Sequence, residues 1–580
     1  MASPEAESPP ANPVGSRLKQ AEETNARSTS RLKAASKIDA AGCFQSGGDS
    51  RKSRMTNVSP RALYELSSVV QFKSEKLMPD KYSQLVAHLS DLHNLNMACW
   101  ILMWDQQVLM PPGGAAARAA QMATLSSLRH RMLASDKTAR LIEEAAREIA
   151  GAPFDSDEAS MVRVARRDYE AALKLSSEFV ARLTEFKALA HESWTLARAS
   201  NDFQSFQSTL ERLLELKIEE AELRSYTEHP YDALLNSYEP GITTAQVKAI
   251  FDGHKPALVE MVAAIGERES RVDDSILHQP FDLDQQRQFA VYIARAIGFD
   301  FERGRLDVSV HPFEIQFSRD DVRLTTRYQR DFLNPALFGT LHEAGHGIHA
   351  QGFGKNLEGT FLSDLELSSA AVAESQSRLW ENLVGRSRAF WQWALPKLKE
   401  TFPAQFDGVD LDTFYRAINK VRRQFIRVEA DELTYNLHIM LRFDLETELL
   451  TGAVQVADLP EAWNARFEAL FGIVPPTDTL GVLQDIHWSM GGFGYFPSYA
   501  LGNLLSVQYF NRALRDHPAI PDEIVAGNFD TLRHWLTEHI YQHGRKFTVD
   551  ELTRRVTGEG IQSRDYVAYL RGKFGEIYGL

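Results

Sequence analysis

The sequence predicts a mostly helical protein with one small β-sheet. Several long stretches place apolar residues three and four positions apart, the spacing that gives a helix one buried face; one of them, "EADELTYNLHIMLRFDLETELL", spans 429–450. β-branched residues and short alternations concentrate in "GRLDVSVHPFEIQFSRDDVRLTTRY" at 304–328, and this pattern predicts the sheet. Turn sequences such as "PPGG" at 111–114 and "PPTD" at 475–478 separate the helical stretches.

Residues 1–60 differ in composition from the rest of the chain. They are rich in Ser, Ala, Pro and Arg, so they cannot bury enough apolar surface to offset the entropy of ordering. We expect a disordered tail here, a linker or first helix at 61–81, and one folded unit over 82–580. Transit peptides are poor in acids, and this tail has several early glutamates. We therefore expect a cytoplasmic protein, with an organellar signal as the alternative.

Charge and cysteine content exclude other classes of protein. Apolar residues make up 44% of the 580 residues, and the formal net charge is -14. Phosphate contacts need clustered Lys and Arg, so we expect no nucleic-acid partner. Two cysteines, Cys43 and Cys99, cannot form a disulfide framework, which favours a reducing compartment. No apolar stretch approaches the roughly 20 residues that span a bilayer, so we expect no membrane partner.

Residues 341–352 read "LHEAGHGIHAQG" and contain the pattern H-E-x-x-H. On a helix, His342 and His346 lie one turn apart on the same face, so both imidazoles can bind one metal ion. Glu343 is at the neighbouring position and can accept a proton from a water molecule on that ion. Zn²⁺ suits two histidines, one carboxylate and a water. From these five residues alone, a histidine pair on an ordinary polar helix face is an equal alternative.

Two further positions restrict the kind of metal site. His349 lies about 10 Å along the helix axis from His342, too far for one ion to bridge. We interpret His349 as a neighbour of the site or a surface residue. The metzincin spacing would need a histidine at position 352, which is Gly352.

The third ligand must therefore come from another segment. "AAVAESQSRLWENLVGR" at 370–386 predicts a helix that is apolar on one side and polar around Ser375. Glu374 in this helix is the first candidate for a carboxylate ligand. Glu366 and Glu381 remain alternatives.

Four motifs besides H-E-x-x-H resemble those of the carboxypeptidase Taq family of metallocarboxypeptidases, over about 82–580. They are "DVRLTT" at 321–326, "AESQSRLWEN" at 373–382, "IRVEAD" at 426–431 and "GVLQDIHW" at 481–488. "GYFPSYALGN" at 494–503 is also similar. The resemblance implies one catalytic domain over 82–580, mostly helical, with a deep central groove and the small sheet near the active site.

The resemblance also implies an activity. Members of the family remove C-terminal residues from peptides with broad specificity and use zinc or cobalt, so we expect a Zn²⁺ cofactor, with Co²⁺ as the alternative. His342, His346 and Glu374 would be the metal ligands, and Glu343 the general base. Expected partners are peptides with a free C-terminal carboxylate and a second copy of the chain in a homodimer. The rival interpretations are an oligopeptidase or aminopeptidase, and a metal-binding scaffold that has lost catalysis.

Arg427 is implied as the anchor for the terminal carboxylate of the substrate. A planar guanidinium suits this role because it can form two hydrogen bonds with one carboxylate. From spacing alone, an ion pair between Arg427 and Asp431, four residues on, is an equal alternative. Arg323 and Arg423 are alternative anchors.

Tyr495 and His487 are implied as the other catalytic residues, where they would stabilise the oxyanion or orient the substrate. From composition alone, Tyr495 could belong to a packed loop and His487 could be a buried core histidine. Asp485 could orient a ligand histidine or cap a helix. The role of His311 is left open.

Two departures from the family pattern flank the expected third ligand. Ala373 precedes Glu374 where the family often has histidine, and the stretch "FLSDLELSSAAVAE" before it is slightly longer. Both bear on metal affinity and metal choice. Gln107 replaces an acid usual in the family and has no mechanistic interpretation.

Overall fold

Helices make up most of residues 80–580, which are the part of the chain that the computed structural model describes. The expected tail at 1–60 and the rest of the segment up to residue 79 lie outside the described residues, as does the side chain of Glu366. Between residues 80 and 580 there are 22 α-helices and three strands. The predicted mostly helical class with one small sheet is confirmed. Within this range no helix is long and apolar enough to cross a bilayer.

Loops of two to 16 residues join the first ten helices. Serine or aspartate begins many of them; the side chain of Ser156, for example, accepts a hydrogen bond from the backbone N–H of Ala159, which satisfies a free donor at the helix start. Asn201 and Gly298 end two of the helices in the left-handed conformation. The ten helices are α1 (Lys81–Val108), α2 (Ala115–Leu133), α3 (Asp136–Glu148), α4 (Asp157–Leu173), α5 (Ser177–Ser200), α6 (Phe203–Arg224), α7 (Pro230–Leu235), α8 (Thr244–Asp252), α9 (Lys255–Gly266) and α10 (Leu283–Ile297).

The predicted sheet follows α10. Its strands are β1 (Gly304–Val308), β2 (Glu314–Ser318) and β3 (Asp321–Thr326). β3 is central: it runs parallel to β1, with Leu324 opposite Leu306, and antiparallel to β2, with Arg323 opposite Ile315. Leu324 is fully buried and lies close to Gly347 of the next helix. The sheet therefore packs against the helix that carries H-E-x-x-H.

Twelve helices form the rest of the protein. They are α11 (Asn334–Gly352), α12 (Ala370–Arg378), α13 (Arg388–Thr401), α14 (Pro403–Phe406), α15 (Leu411–Ile418), α16 (Tyr435–Thr451), α17 (Leu459–Phe471), α18 (Phe496–Asp516), α19 (Ile520–Val525), α20 (Asp530–His539), α21 (Val549–Thr557) and α22 (Arg564–Tyr578). A π-helical turn, Leu379–Val384, continues α12 without a break.

Four of these helices form the centre of the protein. α12 packs against α11 and, most extensively, against α18, while α16 packs on α18 and β3 packs on α11. Leu341, Trp380, Met440 and Leu504, from or beside these helices, are completely buried. Because close-packed interiors resist displacement of any one element, polar side chains on the inner faces of these helices are held in fixed positions.

Candidate metal centre

The H-E-x-x-H motif lies in the middle of α11. The ring centroids of His342 and His346 are 5.1 Å apart, and both side chains are 19% exposed. Glu343, between them in sequence, is 6% exposed. Burial raises the pKa of the Glu343 carboxyl above its ordinary value, although both histidines act in the opposite direction. The helix thus presents two accessible imidazoles beside a carboxyl that holds its proton more firmly than usual.

Glu374 of α12 faces both imidazoles. Its Oε2 lies 3.5 Å from Nε2 of His342 and 3.6 Å from Nε2 of His346. One ligand atom from each of the three residues lies within 4.8 Å of the others, the arrangement that could hold a metal ion. Two imidazoles and one carboxylate form the ligand set that catalytic zinc sites use, with a further position left open.

Two glycines allow Glu374 to reach this position. A Cβ at Gly345 of α11 would lie 2.8 Å from the backbone oxygen of Gln376, and a Cβ at Gly502 of α18 would lie 2.6 Å from Cγ of Glu374. Real Cβ atoms do not approach so closely, so any other residue would push the helices apart. The three helices converge on the Glu374 side chain because these two positions lack side chains.

A second layer of charged groups surrounds the three residues. His342 donates from Nδ1 to Oε2 of Glu381 at 2.9 Å, so its Nε2 is left to face Glu374. Arg378 donates from Nε to Oε1 of Glu374 at 2.6 Å and from Nη1 to Glu381 at 3.1 Å. Glu381 was one of the alternative ligands expected from the sequence, whereas Arg378 was not expected at the site. Arg378 and Glu381 follow Glu374 by four and seven positions, on the same helix face, and this spacing could have indicated that the three side chains interact.

The charges in this layer favour ionised carboxylates. Burial alone would raise the pKa of Glu374, but Arg378 and His342 hold it well below its ordinary value. Burial would also raise the pKa of Glu381, but Arg378 and the hydrogen bond from His342 lower this pKa to about 2. Burial lowers the pKa of His342, but Glu374 and Glu381 raise it more. Both carboxylates are therefore ready to interact with a cation at neutral pH.

His349 is a core residue. It is 3% exposed, and its ring lies 4.9 Å from that of Tyr541. Burial, and then the neighbouring His346, lower the pKa of His349 to about 3. The surface position considered for His349 is wrong, because α11 is covered on this side by the segment that carries Tyr541.

Arg427 is buried, with an exposure of 4%. It donates from Nη2 to Oδ1 of Asp485 at 3.0 Å and from Nη1 to the hydroxyl oxygen of Tyr435 at 2.7 Å. The suggested ion pair with Asp431 is wrong: Asp431 accepts hydrogen bonds from the backbone N–H groups of Arg422 and of the turn before α16. Asp485 is 58 residues away in sequence, so spacing could not identify it.

Asp485 accepts from a second arginine as well. Arg442, which is completely buried, donates from Nε to Oδ2 of Asp485 at 2.6 Å. The two arginines hold the pKa of Asp485 well below its ordinary value, although burial would raise it. Neither role considered for Asp485 is found; Glu381, not Asp485, accepts the hydrogen bond from a candidate ligand histidine.

His487 and Tyr495 lie side by side. Their rings are stacked with centroids 5.7 Å apart, and His487 Nε2 is 3.4 Å from the hydroxyl of Tyr499. Burial, and then Arg427, lower the pKa of His487 to about 3, so the ring is neutral at pH 7. Tyr495 is half-buried, and its ring edge also contacts Tyr238.

Arg323 and Arg423 have other surroundings, whereas His311 is close enough for its charge to lower the pKa of Glu343 and of His487. Arg323 pairs with Asp321 at 2.9 Å and lies over the ring of Trp104, as part of the sheet. Arg423 lies beside Gly266. His311 is exposed, with Nδ1 2.7 Å from the backbone oxygen of Pro312.

A known protein family matches most of the chain. Residues 84–574 match the sequence model of a family described as carboxypeptidase Taq (M32) metallopeptidase. The chain belongs to this M32 family. It is a metallocarboxypeptidase, a hydrolase that acts on peptide bonds, and the resemblance noted in the sequence is confirmed.

Individual carboxypeptidases resemble the chain over most of their length. "Thermostable carboxypeptidase 1" of Thermus thermophilus is 40% identical over 489 residues, covering 82% of this chain and 94% of the relative. "Carboxypeptidase 1" of Bacillus subtilis is 36% identical, covering 84% and 97%. The crystal structure of the M32 carboxypeptidase from Deinococcus radiodurans R1 has a TM-score of 0.83 at 39% identity and covers 86% of this chain and all of that one.

Proposed function

We propose that this chain releases single C-terminal residues from peptides with broad specificity, and that His342, His346 and Glu374 hold a Zn²⁺ ion. The M32 family is a metallopeptidase family, and these three residues form the one candidate cluster among the described residues. A zinc ion held by these residues would polarise the scissile carbonyl and lower the pKa of a bound water molecule. Two nitrogen donors and one oxygen donor suit zinc; cobalt, with similar ligand preferences, is the alternative.

Glu343 is the proposed general base. It projects from the position beside His342 on the same helix, and its burial raises the pKa of its carboxyl. A carboxylate whose pKa is raised is a better base, because its affinity for a proton is closer to that needed near neutral pH. Glu343 would take a proton from the attacking water and deliver it to the leaving amine.

Arg427 is the proposed anchor because, around it, buried positive charges outnumber the buried negative charges that pair with them. In the described part of the chain, Arg427 and Arg442 both pair with the single carboxylate of Asp485. A buried charge without a counterion is costly, and the carboxylate of a peptide would neutralise it. A guanidinium has five N–H donors, and the described contacts of Arg427 with Asp485 and Tyr435 use three of them.

Tyr495 and His487 are proposed to stabilise the carbonyl oxygen as it gains negative charge. Preorganised donors of this kind act most strongly in a buried site. His487 suits the role because its neutral ring can donate an N–H without carrying a charge of its own. The stacking of His487 on Tyr495 restricts both side chains.

Three further proposals rest on the sequence and the family resemblance. They are a catalytic domain over 82–580, a homodimeric assembly and a cytoplasmic location. The sparse cysteine content supports the last of these.

One short peptide in two forms tests the function. The free acid and the C-terminal amide are incubated with the enzyme, with and without a chelator. We expect loss of the last residue from the free acid only, and only without chelator. Internal or N-terminal cleavage of both forms would contradict the proposal in favour of an oligopeptidase or aminopeptidase. No cleavage after zinc or cobalt is restored would indicate a metal-binding scaffold.

A further inference from the structure

Tyr435, the first residue of α16, contacts two cations with two different parts of its side chain. The guanidinium carbon of Arg378 lies 4.5 Å from the centre of its ring. Its hydroxyl oxygen accepts a hydrogen bond from Nη1 of Arg427 at 2.7 Å. The side chain is buried, with an exposure of 5%. One rigid aromatic group therefore lies between the two arginines.

The two cations belong to different parts of the proposed site. Arg378 holds Oε1 of Glu374 at 2.6 Å, which leaves Oε2 to face the two imidazoles. Arg427 is the proposed anchor for the substrate carboxylate. A phenol ring cannot change the distance between its face and its oxygen, so the position of one arginine restricts that of the other.

We propose that Tyr435 is a positioning residue that sets the spacing between the metal-ligand shell and the carboxylate anchor. This inference rests on the proposed role of Arg427. The spacing matters because one residue of an extended peptide spans about 3.3–3.6 Å. An anchor held at a fixed distance from the metal ligands selects the last peptide bond for hydrolysis and excludes the bond before it.

Hydrogen bonds also fix the segment of chain that leads from Arg427 to Tyr435. The carboxylate of Asp431 accepts hydrogen bonds from the N–H groups of Leu433 and Thr434, and the N–H of Tyr435 donates to the carbonyl oxygen of Asp431 at 3.0 Å. The N–H of Arg427 donates to the side chain of Gln484 at 2.8 Å. The turn from Arg427 to Tyr435 is thus tied at both ends, which suits a fixed spacer.

The decisive variant is Tyr435→Phe, which keeps the ring over Arg378 and removes the hydroxyl that holds Arg427. We expect KM for a free-acid peptide to rise about tenfold, the scale of one lost hydrogen bond to a charged group, while the zinc dissociation constant stays unchanged. Mass spectrometry should also detect some release of a dipeptide. Tyr435→Leu, which removes the ring as well, should in addition weaken zinc binding.

Two comparisons make the test specific. Tyr509 is fully buried and its hydroxyl lies 3.0 Å from that of Thr553; Tyr509→Phe should leave KM, product length and zinc affinity as in the wild type. Arg427→Gln should abolish the preference for free acid over amide. If that preference persists in Arg427→Gln, the anchor proposal fails and the spacer with it. Two other outcomes would overturn only the positioning role of Tyr435. In the first, Arg427→Gln loses the preference for free acid but Tyr435→Phe behaves like wild type. In the second, Tyr435→Phe weakens zinc binding as much as Tyr435→Leu does.

Discussion

Ser377 of α12 lies directly against Gly345 of α11: a Cβ on Gly345 would come within 2.8 Å of the Ser377 Cα. This contact is between two backbones, so no side-chain movement can relieve it. It sets the distance between the helix that carries the two histidines and the helix that carries Glu374. Helix packing and metal-site geometry are therefore determined at the same point.

We expect Gly345→Ala to push α11 away from α12 and to weaken zinc binding at least about tenfold, with a loss of stability of about 1–3 kcal/mol from overpacking. Competition with a chromophoric chelator and thermal unfolding measure the two effects. Gly339→Ala is the matched control on the same helix, because a Cβ there would meet nothing closer than 3.7 Å. Equal zinc affinity in the two variants would contradict this account.

Glu343→Gln should keep the metal and lose turnover. The amide preserves the shape of the side chain but cannot accept the proton, so we expect kcat to fall roughly a hundred- to ten-thousandfold. Metal content by atomic absorption should match that of the wild type. Activity retained by a fully zinc-loaded variant would reject Glu343 as the base.

Substitutions of Glu381 and Glu374 should weaken zinc binding to different degrees. Glu381→Gln weakens the hydrogen bond that orients His342 and the charge pairing with Arg378, so we expect zinc affinity to fall about ten- to a hundredfold. Glu374→Ala removes an oxygen donor that faces both imidazoles and should cause the larger loss. Full zinc occupancy in Glu374→Ala would direct attention to Glu366, the other carboxylate considered from sequence.

Glu239 should make stability depend on pH. It is completely buried and accepts hydrogen bonds from Ser369 and from the N–H of Ala371 at the start of α12. Burial outweighs these donors and raises the pKa of Glu239 from 4.5 to about 7. Between these pH values the folded state keeps a proton that the unfolded state has released, so the free energy of unfolding should decrease as pH rises, by up to about 3 kcal/mol.

Glu239→Gln removes this titration. Thermal midpoints measured from pH 4.5 to 8 should fall more steeply for the wild type than for the variant, and the difference should be complete above pH 7. Exposed Glu228 offers a control: Glu228→Gln makes the same change in charge and should leave the wild-type slope in place. Parallel curves for wild type and Glu239→Gln would show that burial does not raise the pKa of Glu239 as described.

Local sequence patterns predicted the parts of the fold that depend on neighbours in the chain. The sheet at 304–328 followed from its β-branched residues, and the closeness of His342 and His346 followed from the helical repeat. Contacts between distant segments left no such signal. The pairing of Arg427 with Asp485, 58 residues apart, required the folded chain, and spacing alone suggested Asp431 instead.

The burial of His349 shows the same limit. Its position on α11 relative to His342 was correct from the helical repeat, but whether that side of the helix is covered depends on Tyr541, which is remote in sequence. The glycines were visible in the sequence as well. Gly345 could be recognised as a close contact only once α12 was seen against it.

The surplus positive charge at Arg427 and Arg442 has a consequence for successive rounds of cleavage. The released amino acid keeps the carboxylate by which the proposed anchor holds it, so the product occupies the anchor as the substrate did. The shortened peptide carries a new terminal carboxylate, but it cannot reach Arg427 until that amino acid has left. Shortening of a peptide by this enzyme should therefore be distributive, with the peptide free to exchange between cuts.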